Sequence, residues 1–319
     1  MPQEKVQTMT GATNTTISTM MIKPMWLKRT LPTGMGISNY SMIKQNLDRL
    51  HLNTVCEEAK CPNINECWSG GTATFMVMGD ECTRGCRFCA VKTRRIPKPL
   101  DNDEPKKLAE AIKNFGLKYV VFTSVDRDDL PDQGAGHFAG CIREIKARQP
   151  ELIVEVLIPD FQGKKELIKM VADAKPEVIA HNIETVKRLQ SKIRDPRANY
   201  EQSLGVLKTV KELDKKIYTK SSIMLGFDEQ DDEVLEAIDD LRAIDVDVLT
   251  LGQYLRPSQN HIALQKYVSP DKFEWFKQRA DEKGFLYTAS GPFVRSSYKA
   301  AEFFMEGIIR KQKIAESVV

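Results

Sequence analysis

The sequence predicts an α/β protein built as a full or partial (β/α) barrel. Short runs of β-branched and aromatic residues alternate with amphipathic helical segments about six times, at spacings of roughly 25–40 residues, which is typical of parallel βα units. No Gly-x-Gly-x-x-Gly motif follows a predicted strand, which disfavours a dinucleotide-binding open sheet. Because the active sites of barrels lie at the carboxyl ends of the strands, polar residues just after strands are the candidates for function.

The predicted strands occupy residues 72–78, 119–123, 152–158, 177–181, 217–225 and 248–253, and a last short strand occupies residues 285–289. Helices are predicted between them where apolar residues recur at helical spacing, as at Leu108, Ile112 and Phe115. Ser269 and Pro270 predict the N-cap and the first residue of a further helix that ends near residue 284.

Composition narrows the classes of function. The 319 residues include 47 basic and 44 acidic ones, and the net charge of +3 gives no reason to expect a nucleic-acid partner. No apolar run approaches the roughly 18 residues that a membrane span needs. Residues 1–19 are polar and lack the apolar stretch of a secretory signal, and residues 1–22 are predicted to form a disordered tail. We therefore expect a cytoplasmic protein without a membrane or nucleic-acid partner.

The chain has seven cysteines, and six of them lie between residues 56 and 89. An odd number of cysteines in a chain without a secretory signal argues against a disulfide framework, whereas such a cluster usually binds metal. The seventh, Cys141, falls in a helix predicted over residues 139–148, where we expect a small buried hydrophobic side chain.

One triplet, Cys82, Cys86 and Cys89, has Cys-x3-Cys-x2-Cys spacing and directly follows the first predicted barrel strand. Three thiolates in one loop hold three irons of a [4Fe–4S] cluster and leave the fourth iron open for chemistry. A zinc site is the alternative, but structural zinc normally takes four ligands, often as two Cys-x2-Cys pairs. With Phe88 as the aromatic residue, the triplet resembles the signature of the radical S-adenosylmethionine (SAM) superfamily, in which the open iron chelates the methionine moiety of SAM.

A second triplet, Cys56, Cys61 and Cys67, has Cys-x4-Cys-x5-Cys spacing. By spacing alone these cysteines are equally compatible with a zinc site or with chance. Beside the first triplet, a second iron–sulfur cluster is the better interpretation.

Together the two triplets resemble those of the lipoyl synthase family. Further segments similar to that family are KPMWL at 23–27, LPTG at 31–34, TSVDRDDL at 123–130, EVLIPD at 155–160, HNIET at 181–185, GQYLRP at 252–257 and GPFVRSSY at 291–298. One departure is MLGFDE at 224–229, where many members have Gly-Leu-Gly-Glu, and it puts local SAM contacts in doubt. A biotin-synthase-like enzyme and a zinc-binding regulatory module are less compatible with the second triplet and with the barrel pattern.

The resemblance implies a partial (β/α)6 TIM-type barrel with N- and C-terminal extensions. Residues 23–71 would carry the second triplet, residues 72–290 the barrel and residues 291–319 a serine ligand. The implied reaction inserts two sulfur atoms, at C6 and C8, into an octanoyl chain that is amide-linked to a lysine of a lipoyl carrier domain. Implied partners are the glycine cleavage H protein or a 2-oxoacid dehydrogenase E2 as carrier, ferredoxin or flavodoxin as electron donor, and an iron–sulfur carrier protein.

By the same resemblance, Cys82, Cys86 and Cys89 hold the SAM cluster, and the second triplet holds an auxiliary [4Fe–4S] cluster that donates sulfur. Ser297 is implied as the fourth ligand of the auxiliary cluster, and its oxygen is a harder, weaker ligand for iron–sulfur chemistry than a thiolate. Without the resemblance, Ser296 and Ser297 would instead predict an ordinary N-cap of a helix over residues 298–311.

Polar residues at strand ends are the candidate SAM contacts. Thr123 and Ser124 follow the second strand, Asn182 ends the fourth, and Glu155 is an acid within the apolar third strand, where it needs a partner. His181 is expected to be structural. The charged residues 126–129 form either a SAM contact or a set of internal salt bridges.

Overall fold

The computed structural model of the chain describes residues 22–28, 36–297 and 299–317. The strands are β1 (Asn53–Thr54), β2 (Phe75–Val77), β3 (Glu81–Cys82), β4 (Lys92–Thr93), β5 (Tyr119–Ser124), β6 (Ile153–Leu157), β7 (Val178–Ala180), β8 (Tyr218–Leu225), β9 (Val248–Gln253) and β10 (Tyr287–Gly291). Within the described residues, one sheet has the order β1-β2-β5-β6-β7-β8-β9-β10, and β3 pairs with β4 separately. Among the described strand pairs, that of β1 and β2 is antiparallel and the others are parallel.

The helices surround this sheet. They are α1 (Gly36–Leu50), α2 (Val55–Glu58), α3 (Ile64–Ser69), α4 (Glu104–Asn114), α5 (Ala135–Arg148), α6 (Lys165–Ala172), α7 (Gln190–Ile193), α8 (Tyr200–Leu213), α9 (Asp231–Ala243), α10 (Pro270–Glu282) and α11 (Lys299–Ser317), with 3-10 turns at Met25–Leu27, Phe161–Gly163 and Lys187–Leu189. In the described part of the chain, no helix combines the length and apolar character that a bilayer crossing requires.

The predicted barrel-type α/β fold is confirmed, because β2 and β5 to β10 run parallel in chain order with helices between most of them. The first strand is shorter than predicted, since Met78 has a φ of +69° and leaves the extended conformation. The last strand begins two residues later than predicted, because its register to β9 starts with the pair Tyr287 and Val248. Ser269 caps α10 as predicted, accepting a hydrogen bond from the Lys272 N–H at 3.2 Å.

The amino end of the sheet is covered by the last helix. Met305 and Ile309 of α11 are buried against Tyr119, Ile153, Val178 and Val248, which are the first residues of four strands. Burial of this apolar face fixes the helix there. The carboxyl ends of the strands lie at the opposite end of the sheet, where the cysteine-bearing segments converge.

Some predicted features lie outside the described residues. These are residues 1–21 of the predicted tail, the LPTG segment at 31–34 and Tyr298 of the last motif. The boundaries of the predicted segments 23–71, 72–290 and 291–319 stay a prediction.

Candidate active site at the carboxyl ends of the strands

A cavity of about 1330 Å³ opens at the carboxyl ends of the strands. Most of the sequence-predicted site residues line it: Cys56, Cys61, Cys67, Cys82, Cys86, Phe88, Cys89, Thr123, Ser124, Asn182, Ser296 and Ser297. The fold thus brings both triplets and the C-terminal serines to one space. Glu155 is absent from the described residues that line the cavity.

The loop from Cys82 to Cys89 is held at its base by two short strands. Cys82 of β3 pairs with Thr93 of β4, and the Arg94 N–H donates to the Cys82 carbonyl at 2.8 Å. The Gly85 N–H donates to the Asp195 carboxylate at 2.8 Å. A loop fixed at both its base and its tip keeps the three thiols in a constant arrangement.

Arg84, in the middle of this loop, is 5% exposed and forms ion pairs with Asp126, Asp128 and Asp160. It donates to Asp128 from Nε and Nη2, both at 2.8 Å, and to Asp160 from Nη1 at 2.6 Å and Nη2 at 2.8 Å. Burial alone would raise the pKa of Asp160, but the hydrogen bonds from Arg84 outweigh it and lower the pKa to about 2. Asp128 follows β5 and Asp160 follows β6, so Arg84 ties the loop to two barrel strands.

The thiols of this loop have the surroundings of cluster ligands. The N–H groups of Arg84 and Asp126 approach the Cys82 Sγ at 3.4 Å, and the Asp195 N–H approaches the Cys86 Sγ at 3.3 Å. Such donors stabilise thiolate sulfur in iron–sulfur sites. Burial raises the pKa of Cys82 and Cys86 to about 12 and that of Cys89 to about 11, so a metal must displace their protons.

The second triplet is built on two short helices. Cys56 lies on α2 and Cys67 on α3, with Cys61 in the turn between them. The Thr54 hydroxyl caps α2 by accepting from the Glu57 N–H at 3.3 Å. Burial raises the pKa of Cys56 to about 11. Cys56, Cys61 and Cys67 form no disulfide and line the same cavity as the first triplet.

The donor sets fit clusters of several irons. Among the described residues, no three His, Cys, Asp or Glu side chains converge on a single metal position. A [4Fe–4S] cluster instead takes each thiolate on a different iron, so its ligands surround a volume. Each triplet places three cysteines without a disulfide at the wall of one large cavity, which is compatible with that requirement.

Comparison with known proteins agrees with this chemistry. The model of the radical SAM superfamily matches residues 76–241, and that of the N-terminal domain of lipoyl synthase matches residues 3–61. Lipoyl synthase of Halobacterium salinarum is 58% identical over 296 residues, which cover 91% of this chain and 94% of that protein. The mitochondrial lipoyl synthase of Culex quinquefasciatus is 56% identical over 297 residues, covering 92% and 77%, and that of Bos taurus is 54% identical over 295 residues, covering 91% and 78%.

The chain belongs to the lipoyl synthase family of radical SAM enzymes. Its reaction is therefore radical SAM-dependent sulfur insertion that forms the lipoyl group, and it requires a [4Fe–4S] cluster, SAM and a lipoyl-domain substrate. Two solved structures share the fold at low identity. Methylornithine synthase has a TM-score of 0.53 at 13% identity, covering 79% of this chain and 70% of that one. The FeFe-hydrogenase maturase HydG from Carboxydothermus hydrogenoformans has a TM-score of 0.53 at 10% identity, covering 86% and 84%.

In this lipoyl synthase family member, three buried polar atoms of cavity-lining residues lack a partner among the described residues. They are Ser124 Oγ, Asn182 Oδ1 and Arg194 Nε. Buried polar atoms without a partner are costly, so they are the atoms a bound ligand satisfies best. Thr123 lines the same wall, but its hydroxyl donates to the Leu157 carbonyl at 2.9 Å and retains only acceptor capacity.

Sequence reasoning missed Glu184 as a candidate. Its carboxylate lines the cavity and accepts a hydrogen bond from Asn182 Nδ2 at 3.1 Å, and its backbone has a φ of +67°. A non-glycine residue in that region is uncommon and marks a constrained site. Burial raises the pKa of this carboxyl group. The signal was available, because Glu184 belongs to the HNIET segment that also contains Asn182.

Glu155 occupies a different environment from the other predicted SAM contacts. Its side chain accepts from Lys220 Nζ at 2.7 Å and from the Tyr119 hydroxyl at 2.6 Å, and both Glu155 and Lys220 are at most 1% exposed. A buried acid within a strand requires a partner, and for Glu155 this partner is the buried cation of Lys220.

The charged loop after β5 contains internal ion pairs. Arg127 pairs with Asp129 through two contacts of 2.8 Å, and Arg84 pairs with Asp128 and, at 3.5 Å, with Asp126. Asp126 also lines the cavity, where its carboxylate lies 3.8 Å from the Cys82 Sγ. The expected internal salt bridges are therefore present, and a contact with SAM stays a prediction.

The altered segment at 224–229 has a structural explanation. Glu229 is 2% exposed and accepts hydrogen bonds from the Gly226 N–H at 3.0 Å and the Phe227 N–H at 2.8 Å. Gly226 has a φ of +118°, a conformation that favours glycine. The shifted acid, Glu229, therefore accepts hydrogen bonds from the backbone of its own loop. Within residues 224–229, Met224 lines the cavity.

Proposed function

We propose that two [4Fe–4S] clusters share this cavity and divide the reaction between them. Cys82, Cys86 and Cys89 would hold the cluster that binds SAM, and Cys56, Cys61, Cys67 and Ser297 would hold an auxiliary cluster that supplies the two sulfur atoms. The observation that carries the proposal is that all six cysteines and Ser297 line one cavity.

On the SAM side, the cluster supplies the electron that cleaves the sulfonium of SAM to a 5′-deoxyadenosyl radical. The side chains of the protein would bind SAM and hold the cysteine loop in place. Arg84 and Asp195 fix the cysteine loop, while Ser124 Oγ and Asn182 Oδ1 offer unpaired polar atoms to SAM. Thr123 offers an acceptor, and Phe88 provides an apolar contact at the edge of the same loop. Because Glu155 is already paired with Lys220 and Tyr119, we assign it to the barrel interior.

The substrate would be an octanoyl chain that is amide-linked to a lysine of a carrier domain. Apolar side chains of the cavity suit such a chain, among them Met76, Leu157 and Met224. They also exclude water from the radical. Sulfur insertion at C6 and at C8 breaks two unactivated C–H bonds, and each needs its own radical. The enzyme should therefore consume two SAM molecules for each lipoyl group.

This chemistry implies three kinds of protein partner. The carrier would be a glycine cleavage H protein or a 2-oxoacid dehydrogenase E2, and a ferredoxin or flavodoxin would supply electrons. A cluster that gives up sulfur must be rebuilt, so an iron–sulfur carrier protein is a further partner. We also propose a cytoplasmic location; relatives of similar identity are named both with and without a mitochondrial location.

Isotope labelling tests the sulfur donor. The full chain would be reconstituted anaerobically with iron and ³⁴S-sulfide, freed of excess sulfide and given SAM, reductant and an octanoylated carrier peptide for one turnover. We expect about eight irons and eight sulfides per chain, since two cubanes require them, and a lipoyl product with two ³⁴S atoms by mass spectrometry. A count near four, or product with unlabelled sulfur, would contradict the proposal.

A further inference from the structure

Two hydrogen bonds join segments that lie far apart in the sequence. Asn63, between Cys61 and Cys67, donates from Nδ2 to the Phe293 carbonyl at 2.7 Å. Thr74, just before β2, donates from its hydroxyl to Ser297 Oγ at 2.9 Å. We propose that Thr74 is a positioning residue that holds the Ser297 oxygen towards the second cysteine triplet. The inference rests on the proposed role of Ser297 as a ligand.

Thr74 is fixed by the same backbone that fixes the triplet. Its carbonyl accepts from the Val55 N–H at 3.1 Å, and Val55 directly precedes Cys56. The next residue, Phe75, pairs with Thr54 in the antiparallel ladder of β1 and β2. Thr74 is only 8% exposed. Its hydroxyl therefore has a constant position relative to Cys56.

Ser297 is placed by a segment whose backbone is anchored elsewhere. The Val294 carbonyl packs on Gly252 so closely that a Cβ there would lie 2.2 Å from the carbonyl oxygen. Arg295 donates from Nη1 to the Val294 carbonyl at 2.7 Å and to the Gln253 carbonyl at 3.2 Å. These contacts bring the segment to the cavity, and the Thr74 contact then orients the Ser297 side chain.

The polarity of the hydrogen bond suits a ligand oxygen. A serine oxygen that binds iron has lost its proton, so it only accepts hydrogen bonds. Threonine donates to it, whereas valine, which has the same shape, does not. A neutral serine hydroxyl accepts the same bond, so the contact with Thr74 is compatible with both forms of Ser297.

Mössbauer spectroscopy of the full chain tests this role. Cys82, Cys86 and Cys89 would be replaced by alanine in the parent chain, so that ⁵⁷Fe enters the auxiliary cluster alone. In this parent we expect one iron of the cluster to differ from the other three, because it has an oxygen ligand. Thr74→Val should remove this distinct signal and speed iron release to a chelator by roughly 5- to 10-fold, as expected for one lost hydrogen bond. Thr74→Ser should restore both properties.

A matched control is Thr288→Val. Thr288 is 1% exposed, and its hydroxyl has no hydrogen-bond partner among the described residues, so this variant should behave as the parent. If the parent and its Ser297→Ala form give the same spectrum, Ser297 is not a ligand, and both the ligand assignment and this inference are wrong. If the parent shows the distinct iron and Thr74→Val retains it with unchanged iron release, only the positioning role of Thr74 is wrong.

Discussion

Arg84 and Asp128 form a bidentate ion pair in which both contacts measure 2.8 Å, and Arg84 also pairs with Asp160. The three side chains are at most 9% exposed. We predict that Arg84→Gln lowers the free energy of unfolding by about 3–5 kcal/mol, since it removes the cation from buried Asp160 and leaves Asp128 with Arg197 alone. Urea unfolding followed by circular dichroism measures this change.

The matched control for that variant is Arg49→Gln. The Arg49 side chain is 54% exposed and pairs at 2.9 Å with Glu110, which is 44% exposed. An exposed pair contributes about 1 kcal/mol or less. If both variants lowered the free energy of unfolding equally, the buried pairs of Arg84 would not be what holds the cysteine loop.

Substitutions in the two cysteine triplets should have different effects on SAM cleavage and on lipoyl formation. We expect Cys86→Ala to abolish SAM cleavage, because we assign the cluster that binds SAM to the Cys82–Cys89 loop. Cys61→Ala should still cleave SAM but form no lipoyl product. High-performance liquid chromatography of 5′-deoxyadenosine and mass spectrometry of a carrier peptide measure the two outcomes. Normal lipoyl formation by Cys61→Ala would mean that the second triplet is structural.

Substitutions of the adjacent residues Ser296 and Ser297 should have very different effects on the yield of lipoyl product. Ser297→Cys would replace the proposed oxygen ligand with a thiolate, so we expect both clusters to assemble and SAM to be cleaved, but little or no lipoyl product to form. Ser296→Ala should retain most of the product, because the contact with Thr74 belongs to Ser297. Both yields are measured by mass spectrometry after a single turnover. Wild-type yield from Ser297→Cys, or loss of product from Ser296→Ala alone, would overturn the assignment.

His181 should contribute to the dependence of stability on pH. Burial and the neighbouring Arg194 lower the pKa of its imidazole from 6.5 to about 4, and the ring bonds to the Ile158 carbonyl at 2.9 Å and Ser203 Oγ at 3.0 Å. The unfolded chain therefore binds a proton more readily, and this contribution to stability is complete above pH 6.5 and falls as the pH drops towards 4. Its slope is about 1.4 kcal/mol per pH unit.

The comparison variant is His181→Gln, which does not titrate. We expect its free energy of unfolding to fall less than that of the wild type between pH 7.5 and 5.5, by about 1 kcal/mol. Urea unfolding at the two pH values measures the difference. Parallel pH profiles for the two proteins would contradict the assigned pKa shift.

Local patterns in the sequence predicted the strands and the cysteine loop well, for physical reasons. Apolar runs specify buried strands, and closely spaced cysteines specify a loop around a cluster. The contact of Thr74 with Ser297 was not predictable in this way, since it joins residues 223 positions apart and depends on the register of the whole barrel. Glu155 illustrates the opposite problem. The sequence indicated correctly that this acid needs a partner, but not that Lys220, two strands away in the sheet, supplies it.

The packing of Val294 on Gly252 has a consequence for how this sequence can change over time. Any side chain at position 252 would force the Val294 carbonyl to move, because a Cβ 2.2 Å from an oxygen is not tolerated. That carbonyl belongs to the segment that ends in Ser297. A substitution of Gly252 in β9 is therefore tolerated only if the length or path of residues 292–296 changes with it. Evolutionary change at position 252 is thus constrained by a loop that lies some forty residues later in the sequence.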